Sequence, residues 1–154
     1  MKKDISGKKT LIGAIDADVL SFTVGDDPVL DLKLAVWDCL GTAAHVSTLA
    51  AMHKKPAVIL PAERDAVIAA LREILKEIEA GRFTITAADQ DVHLALERCL
   101  TERLGDLGRK VHTGRSRNDQ VAVDVRLFAR DEMLGMVDEV SQLAASLVSF
   151  GRKH

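Results

Sequence analysis

Residues 118–150 read NDQVAVDVRLFARDEMLGMVDEVSQLAASLVSF, and this stretch decides the expected fold. Its apolar or small residues advance in steps of four, three, four and three, the period of a helix packed lengthwise in a bundle: Met133, Val137, Val140, Ala144 and Leu147. At about 1.5 Å per residue, a helix over this stretch would be roughly 50 Å long. A domain of this size cannot bury such a length. We therefore expect partner helices, from further sequence or from other subunits, and association of a chain that lacks them.

Upstream of this stretch, the sequence predicts an arm and a first helix. Periodicity is weak from residue 1 to about residue 25, where Gly, Ser and Lys recur, so an extended arm is expected there. The first helix should begin near Pro28 and end before Pro56. Its apolar or small stripe contains Leu30, Leu34, Trp37, Gly41, Ala44 and Thr48.

Two more helices have clear end signals. The second should begin near Pro61 and end before Gly81, with the stripe Val67, Leu71, Ile74, Leu75 and Ile78. Thr86 and Asp89 have the spacing of a capping box ahead of a third helix, which Gly105 should end. The stripe of that helix is Val92, Ala95, Leu96, Cys99, Leu100 and Leu104.

The composition favours an all-α fold and excludes several classes of protein. Aromatic residues are 3% of the chain and Tyr is absent, so strand formers are scarce. The net charge of −2 argues against a nucleic-acid or membrane-surface binder. Cys39 and Cys99 fit small core residues in a reducing compartment. Because no stretch approaches the roughly 20 apolar residues of a membrane helix and no signal peptide is evident, we expect a cytoplasmic protein.

Residues 112–120, HTGRSRNDQ, form a basic loop immediately before the long helix. Gly114 permits close backbone approach, and Ser116 and Asn118 can cap the helix while offering donors. Free backbone N–H groups and the two arginine forks of Arg115 and Arg117 would favour an anion. A solvated connection fits the same residues equally well, whereas nucleic-acid binding is disfavoured because no aromatic residue is present to stack a base.

His93 is the histidine of most interest outside this loop. It lies one helical turn after Asp89 and one turn before Glu97, so the three residues would share a helix face. This pattern fits either a structural histidine satisfied by a carboxylate or the wall of an active site. His45, His53 and His154 share no ligand spacing, and we expect no metal site.

The basic loop, preceded by DVHLALE at residues 91–97 and LTE at residues 100–102, resembles the argininosuccinate lyases, whose first signature is the segment HTGRSRNDQ. This family belongs to the fumarase and aspartase superfamily. The resemblance implies an N-terminal arm and helical domain over residues 1–117, followed over residues 118–154 by the first long helix of a central bundle. It also implies a homotetramer whose active sites are shared between subunits.

The family reaction is a β-elimination that cleaves argininosuccinate into arginine and fumarate, the final step of arginine biosynthesis. By resemblance, the small-molecule substrate needs no cofactor. Ser116, Arg117 and Asn118 would contact it, and Asn118 is the strongest candidate for a carboxylate or amide contact. Thr113 and Arg115 would shape the loop. His93 would orient or polarise the substrate, and Asp91 would support the loop.

The resemblance is incomplete at both ends of the site. Many family members carry a Ser where this chain has Gly25, and the Asp that binds the arginine end corresponds to Asp31. The proposed base and the second-signature histidine of the family would lie beyond His154, so no catalytic residue is expected within the 154 residues and the polypeptide alone should be inactive. The alternatives are a non-catalytic or crystallin-like homologue assembling through its long helix, another lyase of the superfamily, or a basic-loop binding module.

Overall fold

A computed structural model describes residues 16–53 and 56–154, and every regular element in these residues is helical. This confirms the all-α prediction. The elements are α1 (Ala17–Val24), α2 (Asp27–Leu30), a 3-10 helix (Asp31–Leu34), α3 (Ala35–Ala51), α4 (Pro61–Glu79), α5 (Val92–Leu104), α6 (Asp106–Lys110) and α7 (Arg117–Lys153). None of the helices in the described residues is long and apolar enough to cross a membrane.

Helix α1 corrects the prediction of an extended arm up to residue 25, of which residues 1–15 lie outside the described part. The Asp16 carboxylate accepts hydrogen bonds from the N–H groups of Asp18 and Val19, at 2.9 and 3.2 Å. This cap starts a helix where the apolar pattern is weak. Gly25 ends α1 with φ of +48°, a conformation that glycine adopts without steric cost.

The first predicted helix is divided into α2, the 3-10 helix and α3, and its buried face differs from the expected stripe. Ala44 and Thr48 are exposed, and Leu30 is 57% exposed. The face of α3 that is buried instead contains Ala35, Asp38, Cys39, Thr42, Val46 and Leu49. The apolar pattern was misleading because two polar residues, Asp38 and Thr42, lie on the buried face.

Helices α4 and α5 supply most of the core and match their predicted stripes. Val67, Leu71 and Ile74 of α4 are buried, as are five of the six predicted α5 positions. Both cysteines are free and buried, as expected. The Thr86 and Asp89 pair does not cap α5, because Asp91 is the N-cap and accepts the Leu94 N–H at 2.8 Å.

Helix α6 occupies part of the segment expected to be a loop between Gly105 and Asp119. It packs so closely on α5 that a Cβ built on Gly108 would lie 2.4 Å from the Thr101 nitrogen and 2.6 Å from the Leu100 oxygen. Only a glycine fits there without a backbone shift. Lys110, at the end of α6, donates to Glu63 of α4 at 2.7 Å and ties the segment to the core.

Helix α7 is 37 residues long, about 55 Å at 1.5 Å per residue. A capping box starts it: the Ser116 N–H donates to Asp119 Oδ2 at 2.9 Å, and Ser116 Oγ accepts the Asp119 N–H at 3.4 Å. Its first turns pack against α3, where Gln120 and Asp124 are buried. Every residue from 130 to 154 is exposed, including the predicted apolar stripe.

Candidate functional site

The N-terminal end of α5 gathers three charged side chains from separate parts of the chain. Asp31 Oδ2 accepts the Val92 N–H at 3.2 Å, and Asp91 caps the same helix. Arg117 Nη1, in the first turn of α7, donates to Asp91 Oδ2 at 2.7 Å. The structure therefore brings together Asp31, Arg117 and the predicted supporting residue Asp91.

The N-terminus of α7 projects from the basic loop, residues 112–120. Gly114 has φ of +77°, and His45 Nε2 donates to the Thr113 carbonyl at 2.9 Å, which fixes the loop against α3. Ser116 is occupied with the capping box, and its hydroxyl also lies 3.0 Å from Asp119 Oδ2. Asn118 is exposed in the first turn, beside the positive end of the helix dipole.

Beneath the loop, His93 pairs with partners that the sequence did not indicate. Its Nδ1 donates to Asp38 Oδ2 at 3.0 Å and lies 3.8 Å from Asp124 Oδ2. Asp89, its expected neighbour, lies before α5 and binds Thr86 and Arg98 instead. The predicted shared face is wrong because Asp89 is not on the helix. A carboxylate does satisfy His93 Nδ1, as expected for a structural histidine, but that carboxylate belongs to Asp38 and not to Asp89.

Arg115 lies in the loop as a structural anchor, which agrees with its predicted role. Its Nη2 donates to Thr42 Oγ1 at 2.8 Å. Burial lowers the pKa of Arg115, against the opposing charges of Asp38 and Asp124, but a guanidinium remains charged at neutral pH.

The buried polar residues around Arg115 were not predicted from the sequence. Gln120 Nε2 donates to Asp38 Oδ1 at 3.2 Å, and Asp124 is 1% exposed. Each of the two helices carries polar residues four apart, Asp38 with Thr42 and Gln120 with Asp124. That spacing places polar groups on one helix face and was the available signal.

Burial and nearby charge shift three pKa values in this region. Burial alone would lower the pKa of His93, but the hydrogen bond to Asp38 and the charges of Asp38, Asp91 and Asp124 outweigh it and raise the pKa. Burial, reinforced by repulsion from Asp38, raises the pKa of Asp124 to about 7. Burial also raises the pKa of Asp31, despite the Val92 N–H that stabilises its carboxylate.

Asp38, His93 and Asp124 place possible metal-ligand atoms within 4.8 Å of one another, a juxtaposition that the histidine spacing did not predict. The guanidinium of Arg115 already supplies positive charge to both carboxylates, which disfavours a further cation. The surface above this cluster, at the N-terminal ends of α5 and α7, carries groups of both charges. Arg117 and the α7 N-terminus suit an anion, whereas Asp31 and Asp91 suit a cation.

The sequence profile of a family described as Lyase matches residues 16–154. The chain is similar to the argininosuccinate lyase of Azotobacter vinelandii, with 44% identity over 140 residues that cover 91% of this chain and 29% of that protein. It is 42% identical to the Sorangium cellulosum argininosuccinate lyase over 141 residues, 92% of this chain and 32% of the relative. It is 45% identical to the Pseudomonas aeruginosa argininosuccinate lyase over 134 residues, which cover 87% of this chain and 28% of that protein. The chain spans less than a third of the length of these relatives.

Proposed function

The chain belongs to the Lyase family, whose profile matches residues 16–154, and on this premise we propose that it forms part of an argininosuccinate lyase. The reaction is the β-elimination of argininosuccinate to arginine and fumarate, the final step of arginine biosynthesis. The similarity to argininosuccinate lyases over about nine-tenths of the chain supports this substrate. The observation that carries the proposal is the junction of the α5 and α7 N-termini, where anion-binding and cation-binding groups lie side by side.

The anion-binding groups suit the succinate half of the substrate. Elimination removes a proton next to a carboxylate, and the electron pair forms the double bond as the bond to the guanidino nitrogen breaks. Negative charge grows on that carboxylate in the transition state, so fixed donors accelerate the step. The proposed donors are the Asn118 amide, His93 Nε2 and the guanidinium of Arg117, which uses one of its five N–H groups on Asp91. The Ser116 hydroxyl would join them only by giving up its hydrogen bond to Asp119.

The cation-binding groups suit the arginine half. Asp31 and Asp91 lie at the same helix end as Arg117, and both are partly buried. A carboxylate held there would pair with the α-amino or guanidinium group of the substrate. We assign this role to Asp31, because Asp91 already pairs with Arg117.

The groups that move protons are expected outside the 154 residues, so the site would be completed by other parts of the polypeptide or by other subunits. We propose a homotetramer because other subunits would both complete the site and cover the exposed part of α7. Residues 130–154 carry an uncovered apolar stripe, including Val137 at 59% and Val140 at 66% exposure, which partner helices would bury. We place the protein in the cytoplasm and propose that residues 1–117 and 118–154 form separate domains.

A hybrid lyase tests the function directly. This chain would replace the 140-residue stretch of the Azotobacter vinelandii lyase to which it is 44% identical, and fumarate release from argininosuccinate would be followed by absorbance. We expect turnover by the hybrid and none by the 154-residue polypeptide alone. A hybrid that assembles as the relative does but releases no fumarate would contradict the proposal.

Variants of the hybrid test the site. Asn118→Ala and Arg117→Ala should each lower kcat/KM by about 100-fold or more, since each removes a donor to developing charge. The matched control for Arg117 is Arg64→Ala, because Arg64 is a partly exposed arginine that also forms an ion pair, with Asp65 of α4. Equal losses in the Arg117 and Arg64 variants would reject the site assignment.

Gly25 favours a second candidate function. If the hydroxyl expected at this position is needed to hold the substrate, the chain is a non-catalytic homologue that assembles through α7. An assembled, inactive hybrid that gains activity with Gly25→Ser would support that alternative.

A further inference from the structure

Four ionisable side chains form a buried charge cluster beneath the basic loop: Asp38, His93, Arg115 and Asp124. They come from α3, α5, the basic loop and α7, so the cluster joins four separate parts of the chain. Asp38 and Asp124 are each 1% exposed and His93 is 6% exposed. Charges at such depth are costly unless they are balanced. Arg115 supplies one positive charge, and two ionised carboxylates are balanced only if His93 supplies the second.

The two carboxylates are held differently. Asp38 is well supplied with donors, since Oδ2 accepts from His93 and Oδ1 accepts from Gln120 at 3.2 Å and Thr42 at 3.4 Å. Neither oxygen of Asp124 has a hydrogen-bond partner among the described residues. Its one cationic neighbour within 4.0 Å, among those residues, is His93 Nδ1 at 3.8 Å. Asp124 therefore draws its electrostatic compensation from His93, its nearest cation, and from the charge of Arg115.

We propose that Asp124 is a positioning residue which, together with Asp38, keeps the imidazole of His93 protonated and its Nε2–H available as a fixed hydrogen-bond donor. With Nδ1 directed at the two acids, Nε2 lies on the opposite side of the ring and has no hydrogen bond within the described residues. The use of this donor for a substrate carboxylate rests on the function proposed above. The protonation of His93 does not, because it follows from the protein's own charges.

The charged groups that face His93 from neighbouring elements together favour its protonated, positively charged form. Asp38 faces it from α3 and Asp124 from α7, while Asp31 and Asp91 add negative charge at the end of α5. On the opposing side, Arg115 lies beside the two buried acids, and Arg117 is paired with Asp91. Glu97 and His112 line the small cavity next to the ring.

Ionisation of Asp124 reinforces the effect as the pH rises. Its pKa of about 7 means that its negative charge appears in the range where an ordinary histidine loses its proton. The two groups titrate as a coupled pair, and the charge gained on Asp124 holds the proton on His93. Replacing Asp124 by a neutral isostere removes that charge and should release the His93 proton at lower pH.

Nuclear magnetic resonance titration of the full 154-residue chain, labelled with ¹³C at histidine Cε1, tests the proposal without substrate. His93→Gln identifies the His93 signal among those of the five histidines. In the wild-type chain we expect a His93 pKa above about 6.5. Asp124→Asn should lower it by about one unit, a tenfold increase in the acid dissociation constant of the imidazolium. The control is Asp131→Asn, which removes an exposed carboxylate two helical turns further along α7.

Each result bears on the proposal. A wild-type His93 pKa at or below about 6.5 would overturn it, and this measurement remains decisive if the Asp124 variant does not fold. An unchanged His93 pKa in Asp124→Asn, or an equal shift in Asp131→Asn, would also overturn it. Since the titration requires no turnover, an inactive hybrid lyase would count against the proposed function and leave this inference standing.

Discussion

The two halves of α7 reverse the usual relation between polarity and burial. In its first turns the polar residues Gln120 and Asp124 are buried against α3, whereas apolar residues of the distal half, residues 130–153, are exposed. The buried residues of α7 are Gln120 and Asp124: Gln120 donates to Asp38, and Asp124 belongs to the charge cluster under the basic loop. The second half has the apolar period of a bundle helix without a covering surface in the described residues. Burial near the site therefore follows charge pairing, and apolar exposure marks the proposed assembly surface.

The largest expected effect is on stability, at the close contact between α6 and α5. Gly108→Ala should lower the free energy of unfolding by about 3 kcal/mol, because the added methyl group would meet the α5 backbone at 2.4 to 2.6 Å and backbone atoms cannot rotate away. Urea denaturation measures the change. A loss below about 0.5 kcal/mol would show that α6 can move off α5 at little cost and that the region is less tightly packed than described.

A somewhat smaller loss is expected when a buried acid is neutralised. Arg98 Nε donates to Asp89 Oδ1 at 2.8 Å, and Asp89 also accepts from Thr86. Asp89→Asn should cost about 2 kcal/mol at neutral pH. The exposed pair of Asp106 with Arg109 supplies the control, since Asp106→Asn should change stability by no more than about 0.5 kcal/mol.

The Asp89→Asn variant also gives a pH test. Burial raises the pKa of Asp89, but the hydrogen bonds from Arg98 and Thr86 outweigh it and lower the pKa below its ordinary value of 3.8. A lowered pKa in the folded state stabilises the protein above 3.8 and loses that contribution as the pH falls through the folded-state value. The stability difference between wild type and Asp89→Asn should therefore shrink in acid. A difference that grows below pH 3.8 would contradict the pairing.

A charge placed on the apolar stripe of residues 130–153 should weaken the association of the chain with its partners. Val140→Asp places a carboxylate within the apolar stripe and should raise the dissociation constant of the assembly at least tenfold, about 1.4 kcal/mol. Gln142→Asp adds the same carboxylate off the stripe and should have a smaller effect. Sedimentation equilibrium measures both. A wild-type chain that remains monomeric at high concentration would remove the basis for an assembly surface.

The smallest effect has the opposite sign to that of Gly108→Ala. A Cβ on Gly135 would meet nothing within 4 Å, so Gly135→Ala should stabilise α7 by about 0.5 to 1 kcal/mol through helix propensity alone. Thermal unfolding of the two alanine variants compares the packed and uncovered regions by one chemical change. Destabilisation by Gly135→Ala would indicate that another backbone lies against this face.

Elements with local signals were predicted well, and those that depend on distant contacts were not. Pro61, Gly81 and a continuous apolar stripe define α4, and Ser116, one of the two residues expected to cap the long helix, is the N-cap of α7. Helix α1 was missed because its start signal is a single cap at Asp16. The two acids that contact His93 both lie on other helices. Asp38 precedes it by 55 residues, on α3, and Asp124 lies on α7. No local period encodes such a pairing.

We propose that the junction of α5 and α7 binds argininosuccinate for cleavage, and the decisive measurement for this claim is fumarate release by the hybrid lyase. We expect turnover by the hybrid that carries the wild-type chain and a loss of about 100-fold or more in kcat/KM with Asn118→Ala. A hybrid that turns over equally well with Asn118 and with alanine at this position would contradict the claim.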